Sequence, residues 1–208
     1  MPAAPAKPYH HGNLRAALLE ASLAVLAESG VADFSLREVA RRAGVSPTAA
    51  YRHFADREAL LAALALEGFQ QLAASQQKVL ARHPGDPAAA LQALGEAYIQ
   101  FAMTHVPVYR LMFSSLFGDK SGHPELRAAS SLAFAAVHQV IERGMAEGSF
   151  APGDVRVRAI AGWSTVHGLV TLLFDDLIGR MPAGKRERQA IIRAVVAQFV
   201  AGLKRTGR

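Results

Sequence analysis

Thr48, Tyr51, Arg52 and His53 crowd four hydrogen-bonding side chains into six residues, directly after Ser46-Pro47. The methyl of Thr48 and the neighbouring Ala49 suit the methyl group of thymine. A guanidinium such as that of Arg52 can bond both O6 and N7 of guanine, or grip a phosphate instead. This is the chemistry of a helix laid in a DNA major groove. Arg37 and Arg57 stand where two further helices open, and helix N-termini favour anions, so both are candidate phosphate clamps. Arg41 and Arg42 either join them or form a solvated face.

A second set of residues suits a different chemistry. Trp163 and His167 lie four apart, hence on one face of a helix. Tyr98, Phe101, Met103, Tyr109, Met112, Phe113, Phe117 and Phe134 supply an aromatic and sulfur-rich population in the same part of the chain. A small hydrophobic ligand needs a mostly apolar pocket with a few polar groups. Phe101, His105, Met112, Phe113, Phe134, Trp163 and His167 are the candidates to line one; the alternative for each is a place in a helical core. His105, His138 and His167 show no tight metal-ligand spacing, so neither a metal nor another cofactor is expected.

The elements that must position these residues are helices. Apolar residues recur at three and four along the chain, not at two. Leu14, Leu18, Ala21 and Val25 form one face of a first helix that ends at Ser29-Gly30. Ser35-Leu36-Arg37-Glu38 reads as a capping box opening a second. Gly44 stops it, because glycine readily takes the left-handed conformation of a helix end. Ser46 caps the third helix, and Pro47 fits its first turn, where the amide is unpaired anyway. Asp56 caps a fourth, which runs to the break at His83-Pro84-Gly85-Asp86-Pro87. Beyond it the expected helices are Ala88 to His105, Pro107 to about Phe117, Pro124 to about Glu147, Asp154 to about Gly179, and Lys185 to about Lys204. The fold class is therefore all-α with about nine helices. It comprises an N-terminal three-helix unit with a helix-turn-helix and a larger C-terminal helical part. The expected boundaries are an arm over residues 1–9, a DNA-binding domain over 10–70, and a ligand-binding and dimerisation domain over 71–208.

Composition narrows the classes. The 208 residues can bury a substantial core and contain no cysteine, which removes disulfides, thiolate metal sites and a cysteine nucleophile. The first eight residues lack the apolar core of a signal peptide, and no uninterrupted apolar run approaches the roughly 20 residues of a membrane span. A cytoplasmic protein without a membrane partner is expected. The net charge of +6 is weak support for DNA binding, because it is badly placed. Residues 1–70 hold 7 basic and 7 acidic side chains, residues 71–184 hold 9 of each, and residues 185–208 hold 7 basic side chains against Glu187 alone. The useful signal is local: five arginines between Arg37 and Arg57 face only Glu38 and Asp56.

From about Gly12 to Phe69 the chain resembles the TetR family of bacterial transcriptional regulators. The resemblance rests on Phe34-Ser35-Leu36-Arg37-Glu38-Val39-Ala40, Ala43-Gly44-Val45-Ser46, Tyr51-Arg52-His53-Phe54 and Asp56-Arg57-Glu58-Ala59-Leu60-Leu61, in order and without gaps. Trp163-Ser-Thr-Val-His167-Gly168 is similar to the Trp-x-x-x-His-Gly signature of one C-terminal subclass. Arg57 stands where members often have lysine, and Ala50 where a larger aliphatic is common. The resemblance implies a homodimer on a palindromic operator, phosphate contacts from Tyr51 and His53, and a small effector sensed by the C-terminal domain.

The expected function is a ligand-responsive repressor of double-stranded DNA operators, dimeric through its last two helices. Their apolar stripes run through Ile160, Trp163, His167, Val170, Leu173 and Phe174, then Ile191, Ile192, Val195, Val196, Phe199, Val200 and Leu203. An enzyme using His105, His138, His167, Asp175 or Asp176 is the rival reading. It lacks nucleophile–base–orienter spacing and a phosphate loop. A carrier of apolar ligands is the third. His10 and His11 either reach a minor groove or belong to a loose arm.

Overall fold

The computed structural model describes residues 14–118, 120–175 and 184–204. The expected arm, His10, His11, Asp176 and most of the Pro182-Ala183-Gly184 break lie outside the described residues. Among those described there are nine α-helices, one short 3-10 turn and a single isolated β-bridge.

The first unit is α1 (Leu14–Ser29), α2 (Leu36–Arg42) and α3 (Pro47–Tyr51), packed against the start of α4 (Arg57–Arg82). Its core is Leu18, Leu26, Phe34, Leu36, Val39, Ala40, Ala50 and Phe54, all at most 4 % exposed. Gly44 ends α2 in a left-handed turn at φ +70°. The Val45 amide donates to Ala40 O at 3.0 Å and the Gly44 amide to Arg41 O at 3.2 Å, the paired bonds of a Schellman stop. Ser46 Oγ then accepts from the Ala49 amide at 3.2 Å and starts α3.

The capping box expected at Ser35 does not form. Ser35 has the extended backbone of an N-cap, but its hydroxyl takes no capping bond. Glu38 turns instead to Arg41 and Arg42. Charge-assisted paired bonds outcompete a neutral cap.

Asp56 Oδ1 caps α4 by accepting from the Ala59 amide at 2.8 Å. With 26 residues, α4 is about 39 Å long at 1.5 Å per residue. It runs through the expected domain boundary at residue 70 and belongs to both units. The second unit adds α5 (Pro87–Thr104), α6 (Val106–Met112), α7 (Pro124–Ala146), α8 (Val155–Phe174) and α9 (Lys185–Leu203); α5, α6 and α7 pack against α4, and α8 and α9 pack against α5. The helix expected from Pro107 to Phe117 is two pieces: α6 ends at Met112 and a 3-10 turn covers Ser115–Phe117. α7 lies along α4, and α5 is central, touching α4, α6, α7, α8 and α9. The Ala151 amide donates to Leu203 O at 2.8 Å and pins the end of α9 to the loop before α8.

The two last helices differ from the stripes read in sequence. Val170, Ile192, Val196, Val200 and Leu203 are buried within the protomer. The outward faces carry Val157, Ile160, Ala161, Ser164 and Leu172 on α8, and Ala190, Ala194, Ala197 and Ala201 on α9. On α9 the large aliphatics fill the bundle and the alanines are left outside, whereas α8 also presents large aliphatics outward. By length and composition α8 is the one helix among the described residues apolar enough to cross a membrane, yet it lies against α5, α7 and α9.

Candidate functional site

The residues expected to read DNA share one surface. Ser46, Pro47, Thr48, Tyr51, Arg52 and His53 are exposed, Ala49 is half-buried, and Ala50 behind them is fully buried. Tyr51 is 47 % exposed, a large aromatic with its ring and hydroxyl outside. α3 itself ends at Tyr51; Arg52 is its C-cap, and His53 follows in the turn that returns to buried Phe54. Ala50 O accepts from both the His53 and Phe54 amides, at 3.0 and 3.1 Å, which fixes that turn.

The arginines divide into three groups. Arg41 and Arg42 converge on Glu38, and Arg42 also pairs with Glu28 on α1. The two guanidiniums pull the Glu38 carboxyl down to about 2. Arg42 in turn is raised, first by its bond to Glu28 and then by Glu38. Their charges are largely answered inside the unit. Arg57 is aimed inward: its Nε donates to Phe34 O at 2.9 Å and its Nη2 to Val31 O. It ties the α1–α2 loop to the first turn of α4. The Arg37 and Arg52 side chains are exposed and hold no ion pair or hydrogen bond among the described residues. Among the described residues the five-arginine signal reduces to two unpaired guanidiniums, Arg37 on α2 and Arg52 next to Tyr51 and His53 in the chain.

Behind this surface, a cavity of about 50 Å³ lies between α4, α5, α7, α8 and α9. Phe113, Phe134 and Trp163 line it, as expected, together with Phe69, Leu72, Gln76, Gly95, Tyr98, Gly162, Val196 and Phe199. A Cβ on Gly95 would meet Val196 Cγ1 at 2.7 Å, and one on Gly162 would meet the Phe199 ring at 2.9 Å. Both glycines let α9 close over the cavity. Phe101, His105 and Met112 are not among the lining residues. Phe101 lies one turn beyond Tyr98 and stacks on His105 at 4.5 Å, and His105 Nδ1 is 3.0 Å from Phe101 O at the end of α5. Met112 points the other way on α6, against Gly68 of α4. A wider cleft of about 570 Å³ opens where His53 and Glu58 face His123, but its lining is largely polar and does not suit an apolar ligand.

His167 stands beside the cavity rather than in its wall. Its Nδ1 is 2.7 Å from Tyr109 Oη and 2.9 Å from Tyr98 Oη, the two hydroxyls are 2.9 Å apart, and Trp163 Nε1 donates to Tyr98 Oη at 3.2 Å. A nitrogen with one lone pair accepts from one tyrosine, and the other hydroxyl then donates to its fellow. Either arrangement satisfies the group if Nδ1 accepts and the imidazole proton is on Nε2. Burial lowers the His167 pKa and pushes Tyr98 up to about 12, the latter against the lowering bonds from Tyr109 and Trp163. Tyr109 is raised as well, chiefly by burial. Around neutral pH the cluster is uncharged.

Gln76 escaped the sequence reading, and Tyr109 stood in it only as one of the aromatic population, not among the candidate pocket residues. Gln76 did leave a trace: it follows Leu61, Ala65, Phe69 and Leu72 in helical phase, a polar residue set in the buried stripe of α4. The hydrogen-bonding role of Tyr109 left none, because its partners lie 11 and 58 residues away in the chain. Among the described residues no three metal-ligating side chains converge.

Residues 18–64 match the profile of bacterial regulatory proteins of the tetR family. Residues 91–199 match that of the tetracyclin repressor-like C-terminal domain, a stretch that contains Trp163, His167 and Gly168. The chain belongs to the TetR family. A Rhodococcus protein of unknown function shares 32% identity and a TM-score of 0.83, over 96% of this chain and all of that one. The TetR family transcriptional regulator PfmR of Thermus thermophilus shares 25% identity and a TM-score of 0.69, over 90% of this chain and 99% of that one. The regulator SrpR of Pseudomonas putida is 28% identical over 91% of this chain and 85% of its own length. This TetR-family chain is a transcriptional regulator and not an enzyme. The two profiles flank the middle of α4, which joins the reading surface to the cavity.

Proposed function

We propose that this regulator is a homodimeric repressor that grips a palindromic operator with two α3 surfaces and is released by a small hydrophobic effector. The observation that carries the reading is the outward row Thr48, Tyr51, Arg52 and His53, with Arg37 beside it, on a unit whose other arginines are engaged internally. Thr48, Ala49 and Arg52 read base edges, while Arg37, Tyr51 and His53 hold phosphates. Ser46 and Pro47 set the start of α3 against the backbone. Arg57 acts behind them, by holding the loop before α2.

The outward faces of α8 and α9 support dimerisation. Val157 and Ile160 are 62 % and 48 % exposed, and Leu172 adds a third exposed aliphatic on the same helix. The alanine row of α9 allows close helix approach. A second copy packed there by a two-fold axis covers both faces and sets two reading helices about 34 Å apart, one turn of DNA.

Signal transfer has a physical route. Tyr109, in the hydrogen-bonded cluster beside the cavity, belongs to α6. Val108 and Met112 of the same helix press on Gly68 of α4, and α6 also touches α1. A ligand that displaces the aromatic wall shifts α6 and α4 together and retilts the heads. Coupling of about 1–3 kcal/mol lowers operator affinity roughly 5- to 150-fold.

A gel shift on DNA flanking its own gene, at moderate salt with unrelated competitor, tests the reading; the expected result is a sequence-preferring complex of one dimer per site. Equal binding to all sequences, or a monomer in sedimentation at the same concentration, would sink it.

A further inference from the structure

Among the described residues, the cavity wall holds a polar group with nothing to bond. Gln76 lies in its wall, is 2 % exposed, and its Oε1 is sealed from solvent without a hydrogen-bond donor among the described residues. The polar atoms at the Tyr98 end of the cavity are already engaged: Trp163 Nε1 donates to Tyr98 Oη, and Tyr98 Oη is within bonding distance of Tyr109 and His167. Among the described residues no Asp, Glu, Lys, Arg or His lines the cavity.

From this we infer that the effector is a neutral molecule with an apolar body and a single hydrogen-bond donor, a hydroxyl or an N–H, received by Gln76 Oε1. The inference rests on the cavity being the effector site. A carboxylate or ammonium would enter without a counter-charge and lose its hydration uncompensated. A purely apolar molecule would leave the amide carbonyl unpaired, whereas a donor at that end removes a penalty the unliganded protein already carries. The body of the ligand lies against Phe113, Phe134, Trp163 and Phe199, whose rings favour offset or edge-on contact with a second aromatic ring. Gln76 belongs to α4, the helix that continues to the reading head, so the bond forms on the element that must move.

The chain's single tryptophan is Trp163, so its fluorescence reports on this wall alone. The full-length protein is titrated with para-butylphenol, para-butylanisole, para-butylacetophenone and para-butylbenzoate, following Trp163. The expected order places the phenol about fivefold to tenfold tighter than the anisole, the scale of one neutral hydrogen bond, with the benzoate weakest. In Gln76→Leu the phenol and anisole bind alike, and the unliganded variant melts at a higher temperature than wild type because an unpaired polar group has become apolar. Equal affinity for phenol and anisole in wild type overturns the inference while leaving the cavity as the binding site. So does a preference that survives Gln76→Leu, or a benzoate that binds tightest. A ketone that outranks the phenol overturns it too, since the amide would then be presenting its NH2 end. If no probe perturbs Trp163 in wild type, the cavity reading and the inference fall together. The wild-type ranking decides the matter even if the variant does not fold.

Discussion

The proposed reading head and the proposed effector cavity use side chains in opposite ways. In the head the residues with functional chemistry point outward from a short helix, and everything beneath them is conventional core: Phe34, Leu36, Val39, Ala50 and Phe54 hold the frame and touch no ligand. In the cavity the residues with functional chemistry are themselves the core. Tyr98, Phe113 and Trp163 support the bundle and line the cavity at once. Substitutions in the head should therefore separate stability from function, whereas substitutions around the cavity should not. The lesson concerns robustness: an outward residue can change its target without a packing penalty, and an inward one changes the fold whenever it changes the ligand.

The sharpest test is to damage the frame of the head without touching its surface. Phe54→Ala is expected to cost about 3–5 kcal/mol of stability and to abolish operator binding, measured by chemical denaturation and gel shift on the same preparation. Arg52→Ala should do the reverse: unchanged melting, and a loss of about 1–3 kcal/mol in operator affinity confined to one base position. Equal losses on all sequences would make Arg52 a phosphate contact. Around the cavity the separation should fail. Tyr98→Phe removes the hydroxyl that receives Trp163 Nε1, and both the unfolding free energy, by about 1–3 kcal/mol, and effector affinity should fall together. A variant that lost one and kept the other would break the comparison. Gly44→Ala must hold a left-handed φ at a cost of about 1–2 kcal/mol; it tests whether the stop of α2 sets the register of α3, read as parallel losses in stability and operator binding.

The smallest effect expected is a pH dependence. His167 is depressed below the ordinary imidazole value of about 6.5 because burial disfavours its charged form. Above that pH the folded and unfolded chains are both neutral at this site, and it adds no slope. As pH falls below it, the unfolded chain takes up a proton that the folded chain resists, so stability drops until the folded histidine also protonates. Urea unfolding of wild type and His167→Gln between neutral and mildly acidic pH should show a shallower decline in the variant.

Much of this molecule was legible in its residues. Gly44, Ser46-Pro47, Asp56 and Asp86-Pro87 each act through their own backbone or the next turn, so helix stops and starts could be located without tertiary knowledge. The outward row at Thr48, Tyr51, Arg52 and His53 was legible for the same reason. The capping box was not, because Ser35 and Glu38 satisfy the local pattern while Arg41 and Arg42 compete for the carboxylate. Arg57 looked like any other cation at a helix start until its partners, 23 and 26 residues upstream, were in place. On α9 the periodicity revealed an apolar face but not which neighbour it meets, and the large residues face the protomer's own bundle rather than outward.

By itself the sequence determined most of the helices, their order and the family, since all of these depend on contacts within a few residues or on a contiguous motif. Tertiary structure alone decided which arginines are free, which aromatics enclose the cavity, and that Gln76 is left without a donor. Each of those is a question of what remains after distant side chains have taken their partners.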